Sequence, residues 1–272
     1  MVAILEFRYN FAMKNNHLVV QSPENRSKEK KKNLFYRLTP KSLRRIFDSI
    51  EYKYLQYKYS ANFDSRELNW NWGEMLWNRI ALVNLLLSKF ENPNYLEIGC
   101  ASNKLFSSIF AINKIGVDPE SGGTVRKTSD DFFKSNKKKF DVIFIDGLHT
   151  YDQIRKDIIN SLKSLTHKKV SFIALHDMLP RNWKEQHIPV ISRGAWNGDV
   201  WKIAFELIET QGVDFKILRI DNGIGVIKVL KRNIVLKDLR AELSQKQFAY
   251  YFENLNKLPI IEWEDAQNWL RS

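Results

Sequence analysis

The sequence predicts an α/β fold of Rossmann-like type, with a mostly parallel sheet that finishes in an antiparallel hairpin. Two observations carry this expectation. From residue 94 onward, short apolar runs alternate with helical stretches, which is the pattern of a parallel sheet covered on both faces. Near the end of that region, the strands Phe215–Ile220 and Gly225–Leu230 flank Asp221-Asn222-Gly223, a hairpin signal. A plain dinucleotide-binding fold does not usually end that way.

The elements follow in order. Glu74–Phe90 reads as a helix, because Leu76, Ile80, Val83, Leu87 and Phe90 recur at steps of four and three. Pro93 ends it. Tyr95–Ile98 is the first strand, Ser102–Ala111 a helix and Ile115–Val117 the second strand. Ser129–Ser135 is a short helix, Asp141–Ile145 a buried strand and Tyr151–Leu165 a helix with Ile154, Ile158, Leu162 and Leu165 on one face. Val170–Leu175 is a further strand and Val200–Thr210 a further helix. Three regions are expected: an N-terminal extension over 1–73, a main domain over 74–230 and a helical C-terminal extension over 231–272.

Composition narrows the function classes. The chain has 272 residues, 44% hydrophobic and 13% aromatic, enough for a packed core and against global disorder. One cysteine, Cys100, excludes an internal disulfide framework and a cysteine-rich zinc module. The longest apolar candidate, Ile80–Leu87, is interrupted by Asn84 and too short to span a bilayer. The start, MVAILEFRYNF, lacks the pattern of a signal peptide, so the expected location is cytoplasmic. The net charge of +12 is compatible with nucleic acid, anionic lipid or an acidic glycan, but it is spread along the chain. Its densest run, Lys28–Lys32, reads as a solvated arm.

In open α/β sheets, ligands bind beyond the carboxyl ends of the strands. After the first strand comes Glu97-Ile98-Gly99-Cys100-Ala101-Ser102-Asn103. Gly99 permits a tight turn and close approach of a ligand, while Ala101 stands where a second glycine is expected. Asp118 follows the second strand, where an acid can accept hydrogen bonds from ribose hydroxyls. That spacing suits a nucleoside-containing cofactor and allows both NAD and S-adenosylmethionine (SAM). Ser129 and Asp130 read both as the start of a helix and as candidates for contact with an adenine. Asp146, His149, His176 and Asp177 follow two strands expected to be neighbours, and so converge on one rim. Carboxylates with an imidazole can hold a divalent cation, and a histidine there can act as general base. Trp196 and Trp201 offer flat surfaces for a sugar or ring, in a stretch that also reads as a helix entry through Asn197-Gly198-Asp199.

These pieces together bring a family into view. The motifs YLEIG, IGVDPESGGT, TSDDFF, FDVIFIDGLHTYDQIRKDI, IALHDMLP and RGAWNGDVWK resemble those of SAM-dependent methyltransferases of the methyltransferase domain 24 group, similar to macrocin-type and other sugar or natural-product O-methyltransferases. The resemblance runs from Tyr95 to Val229, about half the chain. It implies a class I methyltransferase fold with a seven-stranded sheet. It also implies SAM as cofactor, with Glu97, Gly99 and Ser102 in the methionine-end loop, Asp118 at the ribose, and Ser129 and Asp130 near the adenine. Asp146 belongs to that cofactor set too, and the resemblance further implies a magnesium or other divalent ion on Asp146, His176 and Asp177, with His149 as base. His176 departs from the family's acidic residue, which leaves the ion open. The expected acceptor is a small-molecule or glycan hydroxyl. Nucleic-acid methylation, a degenerate SAM-binding module and an NAD enzyme stand as rivals, and an oligomer is compatible.

Overall fold

A computed structural model describes residues 41–166 and 170–271, with side chains described from residue 48 onward. The basic run Lys28–Lys32 lies outside the described residues. The chain divides into two units, Met1–Phe63 and Asp64–Ser272. The described part of the first is a helix (α1, Lys41–Lys58) followed by a short 3-10 turn. No helix among the described residues is long and apolar enough to cross a membrane.

The second unit is built on a seven-stranded sheet. Its strands are β1 (Asn94–Ile98), β2 (Asn113–Val117), β3 (Val142–Ile145), β4 (Ser171–Leu175), β5 (Val213–Leu218), β6 (Ile224–Val229) and β7 (Ile260–Ile261). They lie in the order β2-β1-β3-β4-β6-β5-β7. β2, β1, β3 and β4 are parallel, and β6 runs antiparallel between β4 and β5. The sheet is thus parallel but for one inserted antiparallel strand. β3 and β4 are buried at every residue, which is why they read as unbroken apolar runs.

Alternate residues of the strands separate the two faces. Tyr95, Val142, Phe144, Phe172, Ala174, Ile224 and Val226 join one core with helix α2 (Arg79–Leu87). The C-terminal helix Trp263–Arg271 completes that core through Trp263, Ala266 and Leu270, spaced at three and four residues. β7 adds to the outer side of β5.

Several boundaries differ from the sequence reading, each for a local reason. The first helix of the main unit begins at Arg79, not Glu74. Asn78, in extended backbone, accepts hydrogen bonds from the Ile80 and Ala81 N–H groups and starts the helix there. Leu76 is left outside it and is 89% exposed. The helix expected over Ser102–Ala111 contracts to α3, Lys104–Ser107. Asn84, the residue that interrupts the apolar run, holds the following loop by donating to Ser108 O and accepting from Phe110 N–H.

Asn197-Gly198-Asp199 does not open the next helix, which starts at Lys202. Asp199 instead accepts the N–H of Tyr151 at 2.7 Å, capping helix α5 (Tyr151–Lys163), whose own Thr150 makes no side-chain cap. The hairpin strands sit one to two residues earlier than expected. Asp221, Asn222 and Gly223 all take positive φ, at 45°, 62° and 86°, so the turn is longer than a two-residue one.

The C-terminal segment is fastened by buried charge. Glu206 is fully buried and takes hydrogen bonds from Tyr151 Oη, Arg155 Nε and the Leu239 N–H. Lys202, also buried, donates to Asp199 and to Ser244 O. A buried carboxylate and a buried ammonium are tolerated because each is fully partnered.

Candidate functional site

The C-terminal ends of β1 and β3 and the β5–β6 turn border an open cavity of about 430 Å³. Glu97, Gly99, Ser102, Asp146 and His149, all singled out from the sequence, line it. Asn78, Arg79 and Asp221 line it too, and sequence reasoning missed them as site residues. Asp118, Ser129, Asp130, His176 and Asp177 lie outside the lining.

The loop after β1 is shaped by alternating left-handed residues: Gly99 at φ 84°, Ala101 at 43° and Asn103 at 63°. A Cβ on Gly99 would fall 2.0 Å from the carbonyl oxygen of Asp146, so the loop and the end of β3 touch backbone to backbone. Ala101 occupies a conformation that favours glycine. Its N–H and that of Cys100 donate to one oxygen of Asp118, at 2.9 and 3.0 Å. The other oxygen accepts from Glu120 and Ser121 N–H at 2.8 Å each. Burial opposes the charge of Asp118, but these four hydrogen bonds hold its pKa below the ordinary carboxylate value. Asp118 therefore stakes down the loop, and Asn103 pins it again by accepting from Gly123 N–H.

The left-handed Ala101 makes a small prediction. The strain of about 1 kcal/mol is removed in Ala101→Gly, and the freer unfolded chain returns part of it. The net is a gain of about 0.5 kcal/mol, read as a small rise in Tm. A fall in Tm would show that the Ala101 methyl contributes more than its backbone costs.

Ser129 and Asp130 open helix α4 (Ser129–Ser135), for which Thr128 is the cap. Both accept from Gln153 Nε2 at 3.2 Å. Gln153 also reaches Asp157, whose carboxyl burial lifts to about 6. In this structure these residues tie α4 to α5.

Glu97 is buried beneath the loop and accepts the Tyr95 hydroxyl at 2.7 Å. Burial pushes its pKa up to about 7. Beside it, Asp146 is a hub. Its Oδ2 accepts from Arg79 Nη1 at 2.6 Å, and its Oδ1 lies 3.2 Å from His149 Nε2 and 3.4 Å from His176 Nδ1. Burial opposes ionisation of Asp146, but the two imidazoles hold it far below the usual range.

Arg79 goes on to Asp221, with Nε at 2.7 Å and Nη2 at 3.1 Å. His176 is enclosed, with Nδ1 2.9 Å from Asp177 Oδ2 and Nε2 3.6 Å from Asp221 Oδ1, though neither nitrogen is aligned for a hydrogen bond. Burial opposes a charge on His176, yet the carboxylates raise its pKa well above the ordinary imidazole value.

His149 faces Asp146 with Nε2, and Nδ1 lies 3.2 Å from both Trp196 O and Asp177 Oδ2. Its ring stacks on Trp196, with centroids 5.2 Å apart and planes at 22°. Burial works against protonation, but Asp146 and Asp177 outweigh it and raise the pKa. Asn197 and Asn222 donate to Asp177 Oδ1 at 3.2 and 3.3 Å. Asp146, His149, His176 and Asp177 thus do share one rim.

Fit to a divalent ion can be tested on these distances. Asp146, His149 and Asp177 each bring one ligand atom within 4.8 Å of the others, so His149 rather than His176 completes the trio. The oxygens that face His149 are Asp146 Oδ1 and Asp177 Oδ2, and the opposite oxygens are held by other side chains. Asp146 Oδ2 carries a guanidinium, and Asp177 Oδ1 carries two amide groups. Magnesium wants about six oxygen ligands at about 2.0–2.1 Å. Two carboxylate oxygens and one imidazole nitrogen supply part of such a set, the rest falling to water.

Residues 115–178 match the family model described as "Methyltransferase domain". No curated protein sequence matches the chain. Among solved structures, the chain is similar to an O-methyltransferase from Bacillus cereus in complex with S-adenosylhomocysteine (SAH), at 13% identity and a TM-score of 0.40, covering 64% of this chain and 88% of that one. It is also similar to an SAH-bound methyltransferase from Podospora anserina, at 15% identity and a TM-score of 0.41, covering 79% and 100%. A third is a methyltransferase from Geobacter sulfurreducens, at 12% identity and a TM-score of 0.37, covering 74% and 98%.

Proposed function

We propose that this chain, a SAM-dependent methyltransferase of the class I fold, transfers the methyl group to a hydroxyl of a small-molecule acceptor, a sugar among the candidates. The observation that carries the reading is that His149 and Asp146 line the same cavity as the Gly99 loop. SAM, when bound, supplies an electrophilic methyl on a sulfonium that is already a good leaving group. The protein's task is then alignment of the acceptor oxygen and removal of its proton. The main domain is taken as 74–230, with extensions over 1–73 and 231–272.

In this reading, Glu97, Gly99 and Ser102 hold the methionine end of the cofactor, with Asp146 at the border between cofactor and acceptor. A cationic ammonium next to Glu97 would keep that raised carboxyl ionised. Asp118 keeps the loop in its binding shape, and reaches ribose hydroxyls only by sharing oxygens that already accept backbone N–H groups. Ser129 and Asp130 would serve the adenine at the start of α4. His149 takes the acceptor proton on Nδ1, which the acceptor hydroxyl would reach in place of Trp196 O, while Asp146 on Nε2 fixes the ring and stabilises the imidazolium that results. Trp196, stacked on that ring, is the flat wall for the acceptor. No step is routed through a metal.

Calorimetric titration of the full chain with SAM and with NAD tests the class. Micromolar SAM affinity and no NAD binding are expected. NAD binding without SAM binding would overturn the reading.

A further inference from the structure

We propose that a second recess, between the C-terminal ends of α4 and α5, binds a compact phosphate-bearing anion of the size of a diphosphate. The proposal does not rest on the methyl-transfer reading.

The recess has a volume of about 160 Å³, and Lys137, Lys138, Lys139 and Lys163 line it together with Asn160 and Ser164. Its place follows from the chain. α4 ends at Ser135 and α5 at Lys163, and the loops that follow them lead into the starts of β3 and β4. Asp141 stands at the start of β3 and Asp146 just past its end, about 16 Å apart along extended backbone. An occupant of the recess is therefore not the methyl acceptor.

The balance of charge says what it takes. Two helix C-termini meet here, each worth about half a negative charge. Asp141 adds a buried carboxylate, already accepting from the Asn94 N–H and the Thr166 hydroxyl. Four ammonium groups stand against these, an excess of about two positive charges. Among the described residues none of the four lysines pairs with a carboxylate. Lys139 is engaged, but by donating to Lys163 O, as suits a lysine at a helix end.

The floor supplies neutral donors. Ser164 is 8% exposed, and its Oγ accepts from Asn136 Nδ2 at 3.5 Å, which leaves its own proton for an oxygen in the recess. Asn136 also donates to Lys138 O and accepts from the Lys138 N–H, both at 3.0 Å, and so shapes the loop that carries three of the lysines. The amide of Asn160 has no partner among the described residues and is free to donate. Hydroxyl and amide donors below, with ammonium groups at the rim, suit a ligand whose oxygens all accept. A closed recess favours a small anion over a nucleic-acid strand, which needs a track of charge.

The test is calorimetric titration of the full chain with inorganic pyrophosphate at about 0.15 M salt, where charges more than about 8 Å apart are largely screened. One site per chain with sub-millimolar affinity is expected. Lys137→Ala with Lys163→Ala, and separately Ser164→Ala, are each expected to weaken binding by about tenfold. The same charge removed elsewhere, in Lys231→Ala with Lys257→Ala, is expected to change it by less than about twofold. Absence of binding overturns the proposal, and so does an equal loss in the two lysine pairs. Unchanged affinity in a folded Ser164→Ala also overturns it, because the lysines would then be a loose cluster without a floor. If Ser164→Ala does not fold, the lysine pairs still decide. A single-stranded oligonucleotide that depends on Lys137 and Lys163 and is not displaced by pyrophosphate would replace the small anion by a polymer. None of these readings involves SAM.

Discussion

Replacing His149 by alanine lowers methyl transfer by roughly 10²–10⁴-fold, the usual worth of a positioned general base, while SAM affinity stays within a few-fold of the wild type. The separation follows from the geometry. His149 sits at the cavity's edge between Asp146 and Asp177, whereas the loop from Gly99 to Asn103 is held by Asp118 and does not depend on it. The assay is transfer of labelled methyl from SAM to an acceptor chosen by screening hydroxyl compounds, with SAM affinity read in parallel by calorimetry. The pH profile adds a second readout. A base must be neutral to act, and the raised pKa of His149 places the acidic limb above the ordinary imidazole range, so rate climbs as pH passes through it. Turnover retained in His149→Ala would remove the base assignment.

Gly99→Ala is expected to cost about 3 kcal/mol of stability and to abolish SAM binding. Two penalties add: a left-handed backbone worth about 1–2 kcal/mol, and an overlap that must be relieved by moving backbone, worth about 1–3 kcal/mol. The overlap cannot be evaded by a rotamer change, because the atom met is the Asp146 carbonyl oxygen at 2.0 Å. Any relief pushes apart the two strand ends that carry the site. Thermal denaturation gives the stability and calorimetry gives the affinity. A variant of unchanged Tm that still binds SAM would mean that the loop relaxes freely.

What could be read from the residues depended on how local the cause was. The strands β1, β3 and β4 were legible because burial on both faces leaves unbroken apolar runs such as Val142–Ile145. Gly99 was legible because a glycine at a strand end has few other uses. The start of α2 was misplaced because periodicity counts Leu76, while the deciding interaction is the Asn78 side chain on its own helix. Arg79 and Asp221 were illegible as site residues. They are 142 positions apart, one in an amphipathic stretch and one in a turn, and only the inserted strand β6 brings them together. Asp118 showed its place but not its engagement, since the four N–H groups it accepts come from two loops that fold back on it.

The two-residue strand Ile260–Ile261 has a role out of proportion to its length. β5 is otherwise the outermost strand of the sheet, and it would present a row of unpaired backbone groups to any neighbouring chain. Ile217 and Arg219 N–H groups are instead taken by Pro259 O and Ile261 O, and Trp269 closes the lower end by donating to Asp214. The C-terminal segment is thus a guard against self-association as much as an addition to the core, and a chain shortened before Pro259 would carry an open template for fibre-like pairing along its own edge.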